Sequence, residues 1–283
     1  ENEIHAYDRN GDYLTEYPLK NPSKYKIDHF NIIDYDQSKQ YRLALADIKG
    51  NIYLLDKTGK ILEGWNPLVI ENALSEPPFH LRIAGRDYII LIEKEGKINI
   101  LNRKGQNYKG FPLIFDSKIQ NNAFVQKNSN YNNTTITLLL DNGKFLEFNL
   151  QGQILKENQI YRPSVNSRFY LLTDPSKRNY KIIIQDNTSV YILENENVQF
   201  KKEFLNTENL NFQYYYFGGN QEIIAILDKN KKSILLYDSK GKLISEKEIF
   251  SDQLISILHY RDSKEYKIYS ILNNKLSIIS LKN

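Results

Sequence analysis

The sequence predicts an all-β chain assembled from four-stranded antiparallel sheets, and three observations predict it. A short apolar run closed by a polar turn recurs seven times. A second hairpin turn lies just upstream of the later copies, and no stretch carries the apolar spacing of a helix. The copies are IHAYDRNG from Ile4, IYLLDKTG from Ile52, INILNRKG from Ile98, FLEFNLQG from Phe145, VYILENEN from Val190, ILLYDSKG from Ile234 and LSIISLKN from Leu276. Their starts lie 48, 46, 47, 45, 44 and 42 residues apart.

Each copy opens as a β-rich strand and ends where Asp, Asn or Gly tolerates a positive φ, the chemistry of a tight hairpin. With the strands of one unit lettered A to D, these copies are strand C. Upstream turns at Asp47 to Asn51, Glu93 to Lys97, Leu140 to Lys144 and Gln185 to Ser189 separate C from strand B. The B strands are the most apolar runs: Leu43 to Ala46, Tyr88 to Ile92, Ile136 to Leu140, Lys181 to Ile184 and Glu222 to Leu227. Apolar runs that ignore strict alternation suit strands covered on both faces. Less regular A strands precede them, at Phe30 to Tyr35, Phe79 to Ile83, Phe169 to Thr173 and Leu254 to Tyr260. Strand D, outermost, carries Pro18, Pro67 and Pro112, and proline at a sheet edge removes a donor without breaking a central ladder.

A period of about 46 residues with four antiparallel strands per unit is that of a β-propeller blade, whereas a sandwich of two sheets predicts no fixed period. Residue 1 then falls in a B-to-C turn and residue 283 in a C-to-D turn, giving two strands, five full blades and three strands. Seven blades with incomplete terminal blades is the preferred count, because all seven C strands fit one pattern. A six-bladed alternative leaves the first C strand surplus. Residues 1–283 are expected to form a single propeller domain, a fragment of a longer protein with an upstream domain, in keeping with the absence of methionine.

Composition bounds the function. No window approaches the length of a transmembrane helix. The 38 basic and 34 acidic residues leave +4, scattered too evenly to suggest nucleic acid as a partner. Zero cysteines exclude disulfides, thiol catalysis and thiolate metal sites.

The segments from Asp34 to Leu68 and from His80 to Leu113 resemble the carboxy-terminal propeller of a family of large, uncharacterised bacterial envelope-associated proteins. The resemblance implies an upstream domain and a location in the bacterial cell envelope, periplasmic or outer-membrane associated, and implies no activity. More distantly, IYLLDKTGKILEGW is similar to the repeats of quinoprotein dehydrogenases and of the propeller lipoprotein of outer-membrane barrel assembly. Those repeats set a tryptophan closer behind the turn glycine than Trp65 stands behind Gly59, and Trp65 is the only tryptophan. A quinone cofactor is therefore not expected, nor is any other cofactor.

Phosphate-loop, dinucleotide, zinc-protease and nucleophile-elbow motifs are all missing from the sequence. His5, His29, His80 and His259 are too dispersed to form a local ligand set and read as individual histidines. The loop Asp34-Tyr35-Asp36-Gln37-Ser38 has the alternating oxygens of a calcium loop without its glycine or closing acid, so it reads as an ordinary A-to-B turn. The acids Asp8, Asp56, Asp141 and Asp238 read as recurrent turn caps in separate blades, not as a converging catalytic set. Tyr214, Tyr215, Tyr216 and Phe217 should alternate between two sheet faces, and packing between blades is preferred over a binding rim.

No catalytic, cofactor-binding or metal residue is assigned. The leading expectation is a non-enzymatic scaffold that binds a protein partner with the loops of one face. The alternative is small-ligand or glycan binding, or an enzyme, at the channel mouth, with His80, Arg82, Arg168 and His259 as the polar candidates. A rigid spacer for an upstream domain is a third possibility.

Overall fold

The computed structural model describes residues 3–219, 221–245 and 248–282, and among these it forms 25 strands in seven antiparallel sheets and no helix. The first sheet has two strands, β1 (Glu3–Ile4) and β2 (Leu19–Lys20). The second orders β3 (Ile27–Ile33), β4 (Arg42–Asp47), β5 (Asn51–Asp56) and β6 (Leu68–Val69) as they occur in the chain. The third does the same with β7 (Phe79–Ile83), β8 (Arg86–Ile92), β9 (Lys97–Leu101) and β10 (Leu113–Ile114). The fourth holds β11 (Phe124–Gln126), β12 (Thr135–Leu139), β13 (Lys144–Asn149) and β14 (Ile154–Gln159). The fifth holds β15 (Arg168–Thr173), β16 (Tyr180–Asp186), β17 (Ser189–Glu194) and β18 (Asn197–Glu203). β19 (Leu210–Gly218), β20 (Gln221–Asp228), β21 (Ser233–Tyr237) and β22 (Ile249–Phe250) form the sixth. The seventh has three strands, β23 (Ser256–Tyr260), β24 (Glu265–Leu272) and β25 (Lys275–Lys282). These are the blades of a β-propeller, two strands, then five blades of four, then three.

All seven repeat copies are C strands, and the apolar runs are B strands buried on both faces. Two details differ from the sequence expectation. β3 begins and ends earlier than the predicted Phe30 to Tyr35, because Asp34 and its neighbours already form the turn. Pro18, Pro67 and Pro112 stand immediately before β2, β6 and β10 and not inside them. These D strands are only two residues long, so the edge is protected by brevity as well as by proline. The turns expected at residues 1 and 283 lie outside the described residues.

Contacts divide the chain into two compact units, one built on the first three sheets and most of the fourth, the other on the last three. Within each unit a repeated contact joins successive blades. The turn glycine after strand C meets strand D, or the residues leading into it, from the blade before: Gly59 meets Leu19, Gly105 meets Gly64, Gly152 meets Gly110 and Gly241 meets the Phe200 ring. Gly64 and Gly110, at φ +85° and +96°, lie so close to Lys104 O and Gln151 O that a Cβ would overlap them. Trp65 follows Gly64 into the core, 1% exposed, and its Nε1 donates to Arg103 O at 2.8 Å. Trp65 is therefore explained by packing among Ala44, Leu54, Leu74 and Leu91.

Candidate functional site

The sequence candidates separate by unit. In the first unit, His80 and Arg82 point from β7 onto one carboxylate, Asp87, the second residue of β8. Arg82 Nη1 donates to both oxygens of Asp87 at 2.9 and 2.8 Å, and His80 Nε2 lies 2.9 Å from Oδ1. Arg103 Nε closes the group at 2.7 Å from Oδ2, with its guanidinium 4.2 Å over the Tyr35 ring. Burial opposes the charge on Asp87, but the hydrogen bonds from Arg82, His80 and Arg103 hold its carboxyl below the usual carboxylate range. Burial lowers the His80 pKa, against the opposing pull of Asp87. Burial also pushes the Tyr35 hydroxyl up to about 12. Both oxygens of the acid are taken up by Arg82, Arg103 and His80 of its own blade, and the Arg103 guanidinium and the His80 ring carry the group onto Tyr35 of the second blade.

In the second unit the polar group is more deeply buried, and sequence inspection missed it. Lys181 on β16 is 2% exposed and reaches Glu222 at 2.9 Å, Glu194 and Gln199. Tyr214 OH donates to Glu222 Oε2 at 2.7 Å. Burial first, and then that bond, raise the Tyr214 pKa well above its ordinary value. The available signal was a charged residue near the start of an otherwise apolar B strand, as in YKIIIQD and QEIIAILD.

The aromatic run behaves as its alternation predicts. Tyr214 and Tyr216 pack on one face, in the cluster of Ile183, Ile192 and Ile226. Tyr215 and Phe217 pack on the other, against Ile255, Ile257 and Tyr266. His259 stacks on Tyr266 at 4.6 Å with both ring nitrogens buried and unpartnered.

Asp8, Asp56 and Asp238 each accept two turn amides, at Asn10 and Asp12, Thr58 and Lys60, and Lys240 and Lys242. Asn102 and Asn149 do the same in the third and fourth sheets. Asp141 is the exception: it follows β12 in the B-to-C turn, accepts from Gln120 at 2.6 Å, and burial raises its pKa. The loop Asp34 to Ser38 is a turn pinned by Ser38 Oγ to Asp36 and by Lys39 N to Asp34. Among the described residues no group of three or more His, Asp or Glu could hold a metal ion.

One concave surface remains that is built and polar and has prominent apolar rims. It is a bowl of about 680 Å³ in the second unit, formed by loop 165–167, the turn at Asn187 and Thr188, and loop 205–208. Its walls are tied together internally. Ser164 Oγ and Ser167 Oγ donate to Asp186 Oδ1 at 2.5 and 3.0 Å, and Arg162 donates to Ser164 O and Val165 O. Thr207 Oγ1 donates to Asn187 O at 2.6 Å, and Gln185 bridges Tyr170 OH and Thr207 O. The tips of these pinned loops carry Val165, 84% exposed, and Leu205, 92% exposed. Arg168 and Glu208 are the only titratable residues in the lining. Of the four mouth candidates, only Arg168 is here. A bowl with amide walls, one cation, one anion and two bare aliphatic tips can recognise a surface, and it lacks the paired acid and base that proton transfer needs.

No family model matches the chain, and no curated protein does. Among solved structures the chain is similar to BBS1N, solved in complex with ARL6DN, at 15% identity over 100% of this chain and 86% of that one, with a TM-score of 0.57. It is similar to BamB from Moraxella catarrhalis at 11% identity, over 99% and 94%, TM-score 0.51. It is also similar to Sqt1 from Saccharomyces cerevisiae at 9% identity, over 99% and 78%, TM-score 0.61. At such identities the likeness shows the propeller fold alone.

Proposed function

We propose that this protein is a non-enzymatic scaffold that binds a protein partner at the bowl of the fifth and sixth sheets. The observation that carries this reading is the pair of aliphatic tips, Val165 and Leu205, held out on loops whose polar groups already bond to each other. Leaving large aliphatic side chains in water on ordered loops costs free energy that burial against a partner returns, about 1–2 kcal/mol for each. The near-balanced charge favours a protein over a nucleic acid. BBS1N, with the same fold, is a propeller solved with a protein bound to it. A bacterial envelope location is supported by the sequence resemblance, and fractionation of the native cells tests it.

The functional test compares partner capture by the natural protein, by Leu205→Asp and by Val69→Asp, which charges another exposed aliphatic residue, on a different edge. Capture should fall at least about tenfold for Leu205→Asp, equal to 1.4 kcal/mol, and stay unchanged for Val69→Asp. Equal capture by all three, or none by any, overturns the reading.

A further inference from the structure

Two of the outermost D strands differ from the rest. β2, β6, β10 and β22 have two residues each, whereas β14 has six and β18 has seven. The length of β18 follows from its turn. Asn195 and Glu196, at φ +46° and +69°, join β17 to β18 by a two-residue hairpin whose twist matches the strands, so pairing starts at once. Residues 57–67 and 102–112 intervene between β5 and β6 and between β9 and β10, and only two residues of each D strand then pair.

β18 is the last strand of its sheet, and its outer edge is unpaired among the described residues. A register shift interrupts the ladder beside Ile192 and Leu193, but from Phe200 to Glu203 each residue faces a single residue of β17, ending with Glu203 opposite Ser189. Phe204 N then donates to Thr188 O at 2.7 Å, and the next residue is Leu205 of the bowl. The open edge from 200 to 204 thus runs about 17 Å, at ~3.3 Å per residue, directly into the bowl. Such an edge presents a row of N–H and C=O groups that another extended backbone satisfies in series.

The side chains narrow the occupant. Lys201 is paired with Glu203, which also accepts from Ser189 Oγ at 2.9 Å. Lys202 points to the opposite face, over the rings of Phe200 and Tyr237 at 5.8 and 5.0 Å, and has no carboxylate partner among the described residues. β14 carries one lysine, Lys156, and that one is engaged. Lysine on an open edge disfavours pairing with a second copy of the same edge, whereas an acid on an incoming strand complements it.

We propose that β18 receives an extended segment of the partner protein as a fifth strand along residues 200–204, with an acidic side chain set against Lys202 and an apolar one carried on to Leu205. The inference rests on the bowl as the docking site and names how the partner enters it. The partner's main chain then covers the open edge in the same event that buries the bare tips.

The test uses synthetic peptides and the natural full chain. The probe is a labelled peptide, Thr-Val-Thr-Glu-Val-Leu, titrated by fluorescence anisotropy; one control replaces its Glu by Lys, and two others methylate one or the other alternate set of backbone nitrogens. The Glu peptide should bind at least about tenfold more tightly than the Lys peptide, and Lys202→Glu should invert that order. Methylation of one set should abolish binding and methylation of the other should not. Amide hydrogen exchange should slow at the outward N–H groups of residues 200–204 and stay unchanged in β14. Equal binding of the Glu and Lys peptides, indifference to methylation, or slowing elsewhere overturns the proposal. So does slow exchange at those outward groups in the chain without peptide, which means that the chain covers its own edge, or slowing that follows protein concentration, which identifies a second copy. In partner capture, loss with Leu205→Asp but not with Lys202→Glu removes the added strand and leaves the bowl. No loss with Leu205→Asp removes the bowl, and the peptide titration then decides the edge by itself.

Discussion

The Asp87 group of the third blade and the Glu222 group of the sixth are two versions of one device. Each acid is the second residue of its B strand, and each is held by a residue of the neighbouring A strand two register steps away. Tyr214 stands opposite Ile224 while Tyr216 faces Glu222; His80 stands opposite Ile89 while Arg82 faces Asp87. The difference lies in the cation and the depth. Asp87 is met by Arg82 and Arg103, 37% and 47% exposed, whereas Glu222 is met by Lys181, 2% exposed. A half-wet arginine cluster shares its load among several partners and is screened by solvent, so no one member matters greatly. A buried lysine is the nearest source of positive charge for a carboxylate that has lost its water, so its removal should be felt in full.

That contrast is sharpest in stability measurements. Lys181→Met should lower unfolding free energy by about 3–5 kcal/mol in denaturant titrations, because Glu222 stays buried without its cation. Arg103→Met should cost about 1 kcal/mol or less, since Arg82 and His80 remain on Asp87. Equal costs would erase the distinction between the two groups.

The seams beside these groups differ in a parallel way. Gly64→Ala should cost about 3 kcal/mol, because its Cβ would overlap backbone at Lys104 and φ is +85°. Gly241→Ala should cost less: its φ is also positive, but the atoms in the way belong to the Phe200 ring, which can turn aside. Thermal melting of the two variants decides the order.

Tyr214→Phe should cost about 1–2 kcal/mol, the value of a hydrogen bond to a charged, buried acceptor. It should also alter the alkaline limb. The folded tyrosine keeps its proton above the pH at which the unfolded one loses it, near 10, so stability falls as pH rises past that value and falls less in the variant.

The smallest effect is on the acid side. His80 has a folded pKa below its unfolded value of about 6.5, so the unfolded chain binds protons first. Its contribution is full above that value and is lost as pH falls toward the folded pKa. In His80→Gln the corresponding slope should disappear, and its persistence would mean that another group sets it.

The propeller was legible because its evidence is periodic. Seven C strands, their turn acids and the apolar B runs are each repeated, so local ambiguity in one copy is corrected by the others. The buried pair of Lys181 and Glu222 was not legible, because its two members stand on the B strands of different blades. Lys181 and Glu222 are 41 positions apart, and only the closed sheets bring them together. Asp141 misled for a related reason: it lies beside a glycine turn, but in the B-to-C turn and not the C-to-D turn, and spacing alone does not distinguish the two. The bowl left no motif, since Val165 and Leu205 are unremarkable until their exposure is known.

The most direct test of the scaffold reading is photo-crosslinking in the native cell, with the reactive side chain placed at position 205 or, as reference, at position 69. The account predicts a discrete polypeptide adduct from position 205 and none from position 69. Adducts of equal yield from both positions, or no adduct from position 205, would contradict it.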